Sequence, residues 1–199
     1  MNPKATGQSD SHQGFALITG ASAGLGEEFA RQLAAMRKPL ILVARREERL
    51  QSIAASLRKQ HDIQVEIITA DLSVPHAAED IANVCASKGW QVEWLVNNAG
   101  IAGPDLLKDR DWQAQQTFFQ LMMLSVADLC HRFVPKMADR GYGRVINVAS
   151  VAARIPRSGG CNYGPAKAYL VAMSEELHLT VASSGVNVSA LGPGFTHTD

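Results

Sequence analysis

Short apolar runs of a strand's length recur along this chain, and each but the last is followed by a longer segment with helical periodicity. The runs are FALIT at 15 to 19, LILVA at 40 to 44, VEII at 65 to 68, VEWLV at 92 to 96, RVINVA at 144 to 149 and VNVSAL at 186 to 191. They are apolar enough, and partly β-branched enough, to be covered on both faces. The helical segments lie at 24 to 36, 46 to 60, 75 to 88, about 111 to 139 and about 162 to 184. Strand alternating with helix requires right-handed crossovers, and hence a parallel sheet with helices on both sides. The fold class is therefore α/β, a doubly wound parallel sheet whose ligands sit at the carboxyl ends of its strands. The fourth helical segment, TFFQLMMLSVADLCHRFVPKM, is apolar on nearly every side. It is either buried within one subunit or shared between subunits.

At 199 residues and 46% apolar, the chain suffices for one core. We read residues 14 to 199 as a single domain and residues 1 to 13, polar and small, as a flexible tail without the apolar stretch of a signal peptide. Lys plus Arg and Asp plus Glu number 19 each, so no basic field exists to hold a nucleic acid. No run is long enough to span a bilayer. Cys85, Cys130 and Cys161 are odd in number and far apart, which suits neither a disulfide framework nor a metal site. A cytoplasmic protein is expected.

After the first strand comes TGASAGLGEEFA, with Gly20, Gly24 and Gly26. Glycine lets backbone amides approach a ligand, and the helix that follows offers its positive end to a pyrophosphate. The turn follows a strand and opens a helix, which is the context a dinucleotide site needs. The second strand ends in VARREERL. An acidic residue there would accept bonds from an adenosine ribose, whereas arginine pairs with a 2′-phosphate. Arg45 and Arg46 thus point to NADP(H) over NAD(H), unless they merely solvate the start of a helix. Asp71, with Leu72 at the end of the third strand, either borders an adenine or caps the helix after DLSVP. Of the adjacent Asn97 and Asn98, bracing of neighbouring strands falls to Asn98 and proximity to the cofactor to Asn97.

The fifth strand ends in NVAS, which places Ser150 at the same sheet edge as the glycine turn. Tyr163 and Lys167, at i and i+4, share one helix face. A free tyrosine titrates near pH 10, and a neighbouring ammonium favours its phenolate. With Ser150 binding the same substrate oxygen, the three form an acid and base for a carbinol proton while a nicotinamide moves the hydride.

From about residue 14 to its end, the chain resembles the short-chain dehydrogenase/reductase family. The resemblance rests on TGASAGLG, DL at 71 to 72, NNAG at 97 to 100, Ser150, YGPAK at 163 to 167 and PGFTHT at 193 to 198, in family order. It implies a Rossmann fold and an NADP(H)-dependent oxidoreductase that interconverts a ketone or aldehyde with its alcohol. Ser150 would orient the substrate oxygen, Tyr163 would act as acid or base, and Lys167 would assist it while holding the nicotinamide ribose. Further cofactor contacts are implied for Gly20, Ser22, Gly24, Leu25 and Gly26, and for Arg45, Asp71 and Leu72. Asn97, Ala99 and Gly100 would join them from the fourth strand, and Pro193, Gly194, Thr196 and Thr198 from the end of the sixth. A homodimer or homotetramer through the segments at about 111 to 139 and 162 to 184 is implied as well. Two features depart from the family pattern. Met122 stands where the family commonly carries an asparagine that helps to hold a proton-relay water, and a thioether cannot donate a hydrogen bond. Gln120 and Ser125 are the nearest polar substitutes. The chain also stops at PGFTHTD, where family members continue through a substrate-covering segment, a helix and a strand, so a C-terminally incomplete sequence lacking its last strand is expected. A cofactor-binding regulator without catalysis, or a non-functional fragment, is the alternative.

Overall fold

Every residue of β1 (Phe15–Thr19) and β2 (Leu40–Ala44) is buried, as a strand covered by helices on both faces must be. A computed structural model describes residues 13–156 and 162–194. Its other strands are β3 (Val65–Thr69), β4 (Val92–Asn97), β5 (Gly143–Val148) and β6 (Val186–Leu191). All pair in parallel, in the order β3-β2-β1-β4-β5-β6. The chain winds outward one way from β1 through β2 to β3, then returns to β4 beside β1 and winds the other way. The point of reversal, between β1 and β4, is where such a sheet opens a crevice for a ligand.

Side chains alternate across each strand, so one strand feeds two cores. Ala16 and Ile18 of β1 belong to a cluster with Leu33 of α1 (Gly24–Ala35) and Leu50, Ile53 and Leu57 of α2 (Glu47–His61). Leu17 belongs to the opposite cluster, with Ile81 of α3 (Ala77–Ser87), Leu129 and Phe133 of α5 (Ser125–Asp139) and Leu170 of α6 (Tyr163–Val181). No helix of the described residues is long and apolar enough to cross a membrane.

The segment read as one helix from 111 to 139 is divided. It forms α4 (Trp112–Phe119), a π-helical turn over Gln120–Leu124, and then α5. A π turn inserts one residue into the helical repeat and rotates everything beyond it. Leu121 and Met122 are thereby buried while Leu124 is left 55% exposed. A run apolar on all sides carries no phase from which such a shift can be read. The last helical segment also ends earlier than expected, at Val181, and tightens into a 3-10 turn over Ala182–Ser184 before Gly185 reverses the chain at φ 74°.

Candidate active site

The ends of β1 and β4 are joined by side chains. Thr19 Oγ1 accepts the N–H groups of Asn98 at 3.0 Å and Ala99 at 3.1 Å. Asn98 Nδ2 donates in return to the Thr19 carbonyl at 3.0 Å and the Gly20 carbonyl at 3.3 Å. The chain then turns at Gly20 with φ +66°, where a Cβ would lie 2.8 Å from Asn98 Nδ2. Gly26, in the first turn of α1, packs so closely that a Cβ would come within 2.2 Å of the Gly20 carbonyl oxygen. Two backbone segments touch here with no room for a methyl group. The N-terminus of α1 is thus drawn up against the strand end, and its N-cap residue, Ala23, makes no side-chain cap bond. Its backbone amides suit the anionic oxygens of a pyrophosphate.

A cavity of about 400 Å³ opens at this edge. Gly20, Ser22, Gly24 and Leu25 line it from the glycine turn, Arg45 and Arg46 from the end of β2, Asp71 and Leu72 from the end of β3, and Asn98, Ala99, Gly100 and Ile101 from the end of β4. Arg46 reaches back to the turn, its Nη2 donating to Ser22 Oγ at 3.1 Å. Arg45 Nη1 stands 3.8 Å from an Asp71 carboxylate oxygen. The other Asp71 oxygen accepts from the Ser73 N–H at 2.9 Å and the Ser73 hydroxyl at 2.7 Å. Burial alone would raise the Asp71 pKa, but the Ser73 bonds and the Arg45 charge outweigh it and hold the carboxyl below its usual range. Asp71 is not a helix cap, because α3 begins only after His76; its carboxylate shapes the turn at Ser73 instead.

Ser150 follows β5 and caps the 3-10 turn Val151–Ala153, its Oγ accepting the Ala152 N–H at 3.2 Å. An acceptor role leaves the hydroxyl proton to donate elsewhere. The first turn of α6 abuts this segment, since a Cβ on Gly164 would lie 2.9 Å from the Ala152 carbonyl oxygen. Tyr163, half-buried, opens α6. Lys167, one turn on and only 5% exposed, donates from Nζ to the Val148 carbonyl at 2.6 Å, and that nitrogen lies 5.7 Å from the Tyr163 ring centroid. Ser150, Tyr163 and Lys167 are therefore gathered at the end of β5. Burial pulls the Lys167 ammonium down from its ordinary 10.5 to about 8.

Asn97 does not lie on the cavity. It is 3% exposed, and its Nδ2 donates to Asn147 Oδ1 at 2.8 Å, in a buried chain that runs on from Asn147 Nδ2 to Ser174 Oγ at 2.9 Å. As the last residue of β4 it points to the side of the sheet that α5 and α6 cover, so it braces β4 to β5. Asn98, one residue on, both braces β1 and lines the cavity. Gly26 lies beneath the turn instead of on the cavity wall. Arg46, read from the sequence together with Arg45, lines the cavity as well, whereas Ile101, a cavity residue not singled out by sequence, was signalled only by its neighbour Gly100. Pro193 accepts the Val151 N–H at 3.1 Å through its carbonyl, while Gly194 faces open space. Thr196 and Thr198 lie outside the described residues, as does Cys161. Met122 is 1% exposed, and its sulfur accepts the Ile101 N–H at 3.3 Å. Burial raises the Cys85 and Cys130 thiols to about 11 and about 12, which leaves both unreactive.

Residues 14–199 match the family model described as short chain dehydrogenase. The chain belongs to the short-chain dehydrogenase/reductase family. Over 188 residues it is 33% identical to a 3-oxoacyl-acyl-carrier-protein reductase of Escherichia coli, covering 93% of this chain and 74% of that protein. A short-chain dehydrogenase from Sphingobium yanoikuyae, solved in complex with NADPH, superposes with a TM-score of 0.87 at 31% identity, covering 93% of this chain and 72% of the other. The bulky-bulky ketone specific alcohol dehydrogenase from Comamonas testosteroni superposes with a TM-score of 0.85 at 28% identity, covering 91% and 72%. Oxidoreductase membership and the six-stranded Rossmann sheet thus agree with the site geometry.

The buried Lys167 makes stability depend on pH. A lysine whose folded value is depressed binds fewer protons folded than unfolded between the two values, so stability rises with pH across that window. We expect the unfolding free energy of the native chain, relative to Lys167→Met, to increase by roughly 3 kcal/mol between about pH 8 and 10.5, as followed by urea denaturation. A flat difference would mean that Lys167 is not buried as a charge.

Proposed function

We propose that this chain is an NADP(H)-dependent oxidoreductase interconverting a ketone or aldehyde with the corresponding alcohol. The observation that carries the reading is the buried Lys167 ammonium, fixed to Val148 and 5.7 Å from the Tyr163 ring. Burying a lysine costs free energy that packing alone would not select. Set beneath a tyrosine at the ligand edge of the sheet, the ammonium puts a positive charge beside a ring whose hydroxyl can exchange a proton with a substrate oxygen. The cofactor supplies or accepts the hydride when bound. Tyr163 gives the proton to the substrate oxygen during reduction and takes it back during oxidation, while the Ser150 hydroxyl donates to the same oxygen and orients it. Lys167 also has ammonium protons beyond the one given to Val148, which suit a ribose hydroxyl.

NADP(H) is favoured over NAD(H) because Arg45 and Arg46 line the cavity where an adenosine ribose would lie. Asp71 is directed at Arg45 and Ser73, which leaves it poorly placed to claim a ribose diol. The relative solved with NADPH supports the same choice.

Met122 favours a second reading, a cofactor-binding protein without turnover. Its sulfur is engaged with the backbone at the end of β4 and offers no donor for a relay water.

Tyr163→Phe should lower kcat about 100-fold or more while the NADPH dissociation constant stays within about twofold; a fully active Phe variant removes the assignment. Arg45→Asp should weaken NADPH binding about tenfold or more and NADH binding far less, as read by nicotinamide fluorescence. Equal losses for the two cofactors would mean that Arg45 does not read the 2′-phosphate.

A further inference from the structure

Asn162 immediately precedes Tyr163 and occupies the N-cap position of α6, yet its side chain makes no cap bond to that helix. Its Nδ2 instead donates sideways to Gln115 Oε1 at 2.8 Å. Gln115 stands in the first turn of α4 and is only 2% exposed. Its own Nε2 donates on to the Asp105 carbonyl at 3.4 Å. A primary amide at so buried a position disfavours the fold unless its donors and acceptor are matched, whereas an apolar side chain would need no partner. The loop it reaches is shaped on both sides. Asp105 Oδ1 accepts the N–H groups of Leu107 at 2.9 Å and Lys108 at 3.1 Å. Gly103, at φ +76°, lies so close to Phe118 of α4 that a Cβ would fall 2.4 Å from the ring.

The first turn of α6 is therefore held at two points. Lys167 ties it to the end of β5 through Val148, and Asn162 ties it to α4 through Gln115. Tyr163 lies between these two anchors. One anchor leaves a helix end free to rotate or fray; two fix the direction in which its first side chains point. We infer that Gln115 is a positioning residue, acting through Asn162 to hold the Tyr163 hydroxyl in register with Ser150 and with the loop that follows β4. This rests on the oxidoreductase reading above. It assigns to residue 115 a task that no glycine, serine, tyrosine or lysine of the family motifs performs. Proton transfer is sensitive to displacements of an ångström, so loss of the brace should act on the chemical step and leave cofactor binding alone.

The test compares Gln115→Leu, Asn162→Ala and the double variant in two ways. The first is steady-state kinetics with NADPH and those carbonyls of a broad panel that the native chain reduces. The second is the NMR signal of ring-labelled tyrosine, assigned to Tyr163 by its disappearance in Tyr163→Phe, which needs no turnover. We expect each single variant to lower kcat about tenfold, with the NADPH dissociation constant within about twofold and the double variant no worse than the poorer single, because the two residues act as one unit. The Tyr163 signal should shift or broaden alike in both single variants. Additive losses in kcat, effects confined to KM, or an unmoved Tyr163 signal in folded Asn162→Ala would each overturn the proposal. If Gln115→Leu does not fold, Asn162→Ala, at a half-buried position, decides by the same readouts. If the native chain reduces no carbonyl, the oxidoreductase reading fails, while the Tyr163 signal still decides whether Gln115 positions that ring.

Discussion

The exchange of hydrogen bonds between Thr19 and Asn98 is the contact on which the rest of the site depends. It joins the two strands at which the sheet reverses its winding, and without it the crevice at that reversal would have no fixed walls. Thr19 Oγ1 takes two backbone N–H groups from the end of β4, and Asn98 returns its amide to two carbonyls at the end of β1. These groups are largely withdrawn from water, where an unmatched donor or acceptor is disfavoured by about 1–3 kcal/mol. The glycine turn is then forced to pass within contact of Asn98, which is why Gly20 and Gly26 admit no side chain. The uncapped start of α1 and the arginines at the end of β2 face one cavity as a consequence.

On the far side of β4, polar groups are used differently. Asn97, Asn147 and Ser174 form a buried chain that links β4, β5 and α6. It fixes the height of α6 against the sheet, and that height decides whether Lys167 meets the Val148 carbonyl. The lysine is the costliest group in the neighbourhood: burial brings its pKa down to about 8, so near neutrality it is still largely an ammonium. A charge kept in so enclosed a place is maintained against folding stability, as is usual where a fold stores electrostatic work for chemistry.

Much of this architecture was legible in the sequence, because parallel strands and their crossover helices have different periods and lengths. The spacing of Gly20, Gly24 and Gly26, and of Tyr163 and Lys167, likewise identified residues that the fold brings to one edge. Asn97 and Asn98 show where such reading falls short. Strand alternation puts Asn97 on the same side as Leu95, under α5 and α6, but the preference for one asparagine over the other needs the exact end of β4. The π turn at Met122 was hidden by a run with apolar residues on every side. The link from Asn162 to Gln115 spans 47 positions of sequence, and nothing local to either residue marks it.

The account turns on whether a hydride passes between a nicotinamide and a carbonyl on this chain. The most direct measurement is incubation of the purified protein with NADPH deuterated at the transferable position, together with a broad set of ketones and aldehydes, followed by mass spectrometry of the alcohols formed. The account predicts one deuterium on the carbinol carbon for each NADPH consumed. Saturable NADPH binding with no deuterated alcohol from any carbonyl would contradict it and leave a cofactor-binding protein without turnover.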